Sequence, residues 1–434
     1  MTSLLVRGKV HTFDKSGFVA SNLMVRDGIV RELDSSTEEA DEILDLGVDE
    51  FLQPGWRDDH LHLLSTLATR CSQDLSEATS IDDLLQLVES ASPGENGWIR
   101  AWGHDPSFLQ ERRHPTKSEL DGVTGHFPAV LHDRTGHVAV VNTAAALALK
   151  ADDYADGLLV EREDVLTQVP NIDINDLKRT AQVIFDEWRD VGLVALTDAT
   201  HTNDRSSIEV LAEIRRECNG PRMTVMIGAD RLDGLRFGET HDGVEVGHAK
   251  VMPDVALKQN LKQVIRKAHN AGFPVAVHVM DIDMLEEALR ALEASPTPRA
   301  TRDRLEHCSL ALPEQLDRVA SAGVSICTQP SFLVHRLEKY LEDLSPTEHD
   351  WLWPLSSLIE REIHVTFSSD SPVVPVDPNE WIRAATKRPL SSQEAVTEAQ
   401  AKAMTVVSPI APGLPADLLV RVSSTGYKPL IDAN

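Results

Sequence analysis

Short strand candidates, most of them apolar runs, punctuate the middle of the chain. They are Glu50–Trp56, Leu193–Thr197, Arg222–Ile227, Val244–Met252, Val275–Val279, Arg304–His307, Val324–Thr328 and Ile363–Phe367. Between most of them apolar residues return every third or fourth position, over Ile172–Val191, Ser206–Cys218, Leu257–Ala271, Asp283–Ala294, Pro313–Ala322 and Leu352–Glu362. The first pattern predicts strands and the second predicts amphipathic helices. Glycines after Ala271 and Ala322 mark helix ends. Strands alternating with helices in this number predict an α/β protein, a (β/α)8 TIM-like barrel. An open doubly wound sheet would need a Gly-rich phosphate loop after its first strand, and the segment Trp56–His62 has none.

The two chain ends read differently. Ser3–Val10, Phe18–Val25 and Ile29–Leu33 are β-rich, with the turn Asp27-Gly28 between the last two, and Asp417–Val422 is a further β run. Residues 1–50 and 410–434 are therefore expected to pair into one small β-sandwich domain. The barrel would occupy 51–409. The gap between the first and second barrel strands is too long for one crossover. An insertion at about 65–190 is expected, forming a cap over the barrel mouth.

Composition narrows the functional classes. Lys plus Arg number 42 against 69 Asp plus Glu in 434 residues, a net charge of −27. Such a surface repels nucleic-acid phosphates and anionic membranes, so neither is an expected partner. No apolar stretch reaches the ~18 residues of a membrane span. The opening Met1–Arg7 lacks an apolar signal region, and Cys71, Cys218, Cys308 and Cys327 form no Cys-x-x-Cys pair. A cytoplasmic protein with reduced thiols is the expectation. The partner called for is a small-molecule substrate, and the sequence leaves room for a homodimer.

The candidate chemistry lies at the ends of the predicted strands, where barrel enzymes place their catalytic groups. His60 and His62 follow the first strand, and residues two apart on an extended chain point to one side. Lys250 lies in the fourth strand, His278 ends the fifth, His307 ends the sixth, and Asp370 follows the eighth. A bare His-x-His is common by chance. Four histidines, a lysine in an apolar strand and an aspartate, each at its own strand end, are not.

These residues, in the segments PGWRDDHLH, WGHD, HPTKSELD, RTGHVAVVNTAAL, GLVALTDA, KVMPD, FPVAVHV, RLEHCSL, TQPSF and SSDSPVVPVDP, resemble the amidohydrolase superfamily. The branch they most resemble carries a long cap insertion and includes N-substituted formamide deformylases. The end segment APGLPADLLV is similar to that branch's return to its β domain. The resemblance implies that His60, His62 and Asp370 bind one divalent metal and that His278 and His307 bind a second. It implies that Lys250 bridges them as a carbamate made with CO2. One or two ions are expected, zinc first, with manganese or iron as alternatives.

Asp370 is then the catalytic acid–base group. Trp102, Arg134 and His137 are candidate substrate contacts in the insertion. The implied activity is hydrolysis of a C–N bond in an amide, N-formyl or N-acyl small molecule by metal-activated water. The alternatives are a mononuclear deaminase on the same barrel, which would carry Glu rather than Asp281 after His278, and a catalytically altered metal-binding protein. Two departures from the branch, Asp254-Val255 after Lys250 and Met280-Asp281 after His278, fall at the barrel mouth and leave the substrate open.

Overall fold

Eight parallel strands form the central sheet of the computed structural model, which describes residues 3–36, 39–134, 138–151, 154–253, 260–295 and 302–431. They are β1 (Trp56–Leu61), β2 (Leu193–Asp198), β3 (Arg222–Gly228), β4 (Val244–Val251), β5 (Val275–Val279), β6 (Arg304–His307), β7 (Ser325–Thr328) and β8 (Val365–Phe367), hydrogen-bonded in that order. The ring closes where the segment after β8 meets β1: the Asp370 amide donates to the His60 carbonyl and the His62 amide to the Ser371 carbonyl, both at 2.8 Å. Strands enclosed in this way are buried on both faces. Every residue of β2, β6 and β7 is buried accordingly, so none of the three shows the in–out alternation of a half-exposed strand, even though β6 is mostly charged or polar.

The helices cover the outside with one face each. Leu261–Asn270 buries Leu261, Ile265 and Ala268, and Pro313–Ala322 buries Leu316 and Val319. These are the i, i+3 and i+4 positions of an amphipathic helix. The start of the predicted helix at Leu257, with Asp254 and Val255, lies outside the described residues.

The chain ends build a separate sheet. Leu419–Ser423 runs antiparallel to Phe51–Pro54, which lies parallel to Ser3–His11; Val19–Arg26 and Ile29–Leu33 continue the sheet. Its core is Val6, Val10, Leu23, Val30, Leu52 and Leu419. The predicted strand Glu50–Trp56 is in fact two. Phe51–Pro54 belongs to this sheet and Trp56–Leu61 to the barrel. Gly55 is the join, and a Cβ there would lie 2.4 Å from Val194 Cγ2, so only glycine lets β1 leave the first sheet so close to β2. His60 consequently lies within β1, and only His62 follows it.

The residues divide into two compact units, Met1–His62 with Ile184–Asn434, and Leu63–Val183. The second unit holds a five-stranded sheet centred on Ile99–His104 and Ala129–Asp133. Alternate residues serve its two faces: Ile99, Leu131 and Val140 pack with Leu84, Val88 and Leu120, while Val130, Ala139 and Val141 pack with Ala145 and Leu159. This is the period-two alternation of a sheet covered on both sides.

Candidate metal centre

β1 brings His60, the first candidate ligand, into place through an irregularity. Asp58 pairs with Leu196 of β2 and Leu61 with Asp198, so Asp59 and His60 together oppose Thr197 alone. A bulge of this kind re-aims consecutive side chains. Both residues are buried. Asp59 reaches Thr197 Oγ1 and Thr366 Oγ1, each at 2.8 Å, and Arg304 Nη1 at 3.0 Å. His60 Nδ1 meets Glu306 Oε2.

His60 and His62 present their other nitrogens to one carboxylate. His60 Nε2 lies 3.5 Å and His62 Nε2 3.1 Å from Asp370 Oδ1. The second ring is held by Thr200, whose Oγ1 is 3.0 Å from His62 Nδ1. Asp370 and His307 both have left-handed backbones, φ 59° and 68°. A residue after Glu306 in a regular strand would face away from it; the left-handed turn brings His307 round, with its ring 4.8 Å from that of His60. Its Nδ1 is 2.8 Å from Gln329 Oε1 and 3.9 Å from Asp370 Oδ2. The His278 ring centroid is 4.7 Å from that of His307.

Lys250 is buried and its Nζ has no hydrogen-bond partner among the described residues. Burial pushes its ammonium down against the opposing pull of Glu306 and Asp370. Burial, then the charge of Lys250, holds His60 well below the usual imidazole range. Burial does the same for His307, outweighing the opposing pull of Asp370. Burial would raise Asp370, but the hydrogen bond from His62 and the charges of His307, His62 and Lys250 keep its carboxyl below its ordinary value. Neutral imidazoles at His60 and His307 and an ionised carboxylate at Asp370 are states that cation ligation requires.

Among the described residues, His60, His62 and Asp370 form a set whose ligand atoms all lie within 4.8 Å of one another. The residues present fit a divalent cation. A second set, His60, Glu306 and Cys327, is equally close. Its positive charge is already supplied by Arg304, whose Nε lies 2.5 Å from Glu306 Oε1. Burial also holds the Cys327 thiol well above its ordinary value, so no thiolate is offered. That second set is a buried ion pair with an imidazole.

Arg304, Glu306, Asp59 and Gln329 did not stand out in the sequence, although they lie inside the motifs RLEHCSL, PGWRDDHLH and TQPSF. Their signal was charged side chains inside the predicted barrel strands and an amide directly after the seventh strand. Trp102 and Arg134 belong to the other unit. Trp102 is half-buried in Ile99–His104, and the exposed Arg134 guanidinium sits 5.9 Å from the Phe108 ring centroid. His137 lies outside the described residues. Asp281 caps the helix Ile282–Glu293, its Oδ1 accepting from the Met284 amide at 2.8 Å.

Comparison with known proteins agrees with this geometry. The chain is 25% identical to the putative amidohydrolase YtcJ of Bacillus subtilis, over 89% of this chain and 84% of that protein. It is 23% identical to the N-substituted formamide deformylase of Arthrobacter pascens, over 94% and 88%. Its fold matches the crystal structure of an uncharacterized metal-dependent hydrolase from Pyrococcus horikoshii with a TM-score of 0.82 at 21% identity, covering 99% of both chains. The profile of the amidohydrolase family matches residues 49–418, and the chain belongs to that family.

Proposed function

We propose that this protein hydrolyses a C–N bond in a small amide, N-formyl or N-acyl compound, using one or two divalent ions held by His60, His62, Lys250, His278, His307 and Asp370. The observation that carries this reading is the convergence of two imidazole Nε2 atoms on Asp370 Oδ1 while their Nδ1 atoms are held by Glu306 and Thr200. The name of the Arthrobacter relative supports a formamide-type substrate. A divalent ion bound here supplies a water that ionises near neutral pH and a Lewis acid for the scissile carbonyl.

The chain's own residues do the rest. Asp370, ionised and buried, accepts the water's proton and returns it to the departing nitrogen. Gln329 and Thr200 hold the rings of His307 and His62 against rotation. Lys250, buried without a partner, is placed to add CO2 at Nζ with loss of a proton, giving a carbamate that contributes anionic oxygens. Asp281 speaks against the deaminase alternative, because its carboxylate is engaged as a helix cap.

The test is metal analysis of the purified protein followed by a screen of N-formyl and N-acyl amines for released formate, carboxylate or amine. One to two equivalents of zinc, manganese or iron and turnover of at least one such compound are expected. A protein that neither holds nor takes up divalent metal overturns the reading.

A further inference from the structure

A cavity opens at the end of the barrel away from the metal centre. It measures about 540 Å³, within the range of small-molecule pockets. Arg57, Arg304 and Ser325 line it from the starts of β1, β6 and β7. It therefore faces the N-terminal mouth, away from His62 and Asp370. Barrel interiors are ordinarily filled by layers of Val, Ile and Leu. Here the walls carry Thr197, Thr224, Ser325 and Thr366, and Gly247. A Cβ on Gly247 would lie 2.8 Å from Thr224 Cγ2, so nothing larger fits there.

Not all the guanidiniums around this cavity are committed to a close partner. The oxygens of Asp59 are already occupied by Thr197, Thr366 and Arg304. Arg304 is committed to Asp59 and Glu306. That leaves Arg57 and Arg302 on the walls. Arg57 Nε is buried and makes no hydrogen bond, with Asp59 Oδ1 no closer than 3.8 Å. No ion pair among the described residues engages Arg302, and Glu245 is the one other carboxylate on the lining. With Arg304 spent on Asp59 and Glu306, the lining keeps two guanidiniums, Arg57 and Arg302, against one further carboxylate, Glu245. Phe237 adds an apolar wall, its ring edge-on to His248 at 5.5 Å.

We propose that this basal cavity binds a small organic carboxylate. Its carboxylate pairs with Arg57 and Arg302, as guanidinium forks favour. Its hydrocarbon part lies against Phe237, and its polar substituents meet the hydroxyls of Thr224 and Ser325. The site is separate from the metal centre and does not depend on the hydrolase reading.

The probes are benzoate, succinate and inorganic phosphate, titrated calorimetrically at constant ionic strength into the metal-loaded and the metal-depleted protein. Binding of benzoate or succinate that persists without metal is expected. The double variant Arg57→Gln/Arg302→Gln should weaken it at least tenfold, since each charge-assisted pair is stronger than a neutral hydrogen bond. Thr224→Leu keeps both arginines, fills the cavity, and should weaken binding similarly, so a misfolded double variant leaves the test intact. Binding that disappears with the metal, binding unchanged in Thr224→Leu, or phosphate bound more tightly than either carboxylate overturns the proposal.

Discussion

Replacing Glu306 by Gln tests whether the far side of His60 sets the metal centre. Glu306 is fully buried, and both its oxygens are in use. Oε1 accepts from Arg304 Nε at 2.5 Å, while Oε2 accepts from Arg304 Nη2 at 3.2 Å and from His60 Nδ1. Glutamine offers one acceptor and one donor in the same places. Whichever way the amide turns, its N–H groups face either the guanidinium or the imidazole N–H. If the imidazole loses its partner, the His60 ring is no longer fixed with Nε2 toward Asp370. Loss of such an outer contact costs roughly 10–100-fold in metal affinity, or about 1.4–2.7 kcal/mol. Stability falls separately, because Arg304 keeps only Asp59 as a carboxylate partner, and breaking a buried pair costs about 3–5 kcal/mol. Competition against a chromophoric chelator measures the first effect, and urea unfolding of the metal-free protein measures the second. A folded Glu306→Gln protein with wild-type metal affinity would refute the orienting role of Glu306.

Asp370→Asn should keep the fold and lose turnover by roughly 10²-fold or more; near-normal turnover would remove Asp370 from proton transfer. Lys250→Ala should lower metal content and activity together, with partial rescue by short-chain carboxylates, and unchanged metal loading would exclude a bridging role. His104, fully buried with its Nε2 2.9 Å from His114 Nδ1, is pushed down to about 4 by burial and then by His114. The unfolded chain therefore takes up this proton first, so the contribution is complete above about pH 6.5 and is lost as pH falls toward 4, on the order of 3 kcal/mol. Urea unfolding of wild type and His104→Gln at pH 7.5 and pH 5 should show a shallower pH dependence in the variant, and identical dependence would show that His104 does not carry it.

The barrel was legible because its signals are periodic. Apolar runs flanked by helices with a three-to-four spacing locate β2 through β8 to within a few residues, as at Val275–Val279 and Pro313–Ala322. The pairing of the chain ends was legible from Asp417–Val422 for the same reason. The boundary at Glu50–Trp56 was not. Two strands of different sheets abut at Gly55, and no break in hydrophobicity separates them. Only the close approach of Val194 to that glycine divides Phe51–Pro54 from Trp56–Leu61.

The ligand candidates were legible as residue types at strand ends; what holds them was not, because it depends on departures from regular strand geometry. In an ideal strand Asp59 and His60 would face opposite sides, as would Glu306 and His307. The bulge opposite Thr197 brings the first pair inward together, and the left-handed backbone at His307 turns that ring toward His60 while Glu306 stays behind it. The consequence is layered. His60 and His307 face Asp370, Glu306 braces His60 from the rear, and Arg304 joins Glu306 to Asp59 across the barrel. One guanidinium thus serves as the wall between the metal centre and the basal cavity. Removing it would take the close guanidinium away from two buried carboxylates, Asp59 and Glu306, at once, so Arg304→Met should be far more damaging to folding than Arg57→Gln. Unfolding midpoints for the two variants that fall equally would show that the buried network does not depend on Arg304.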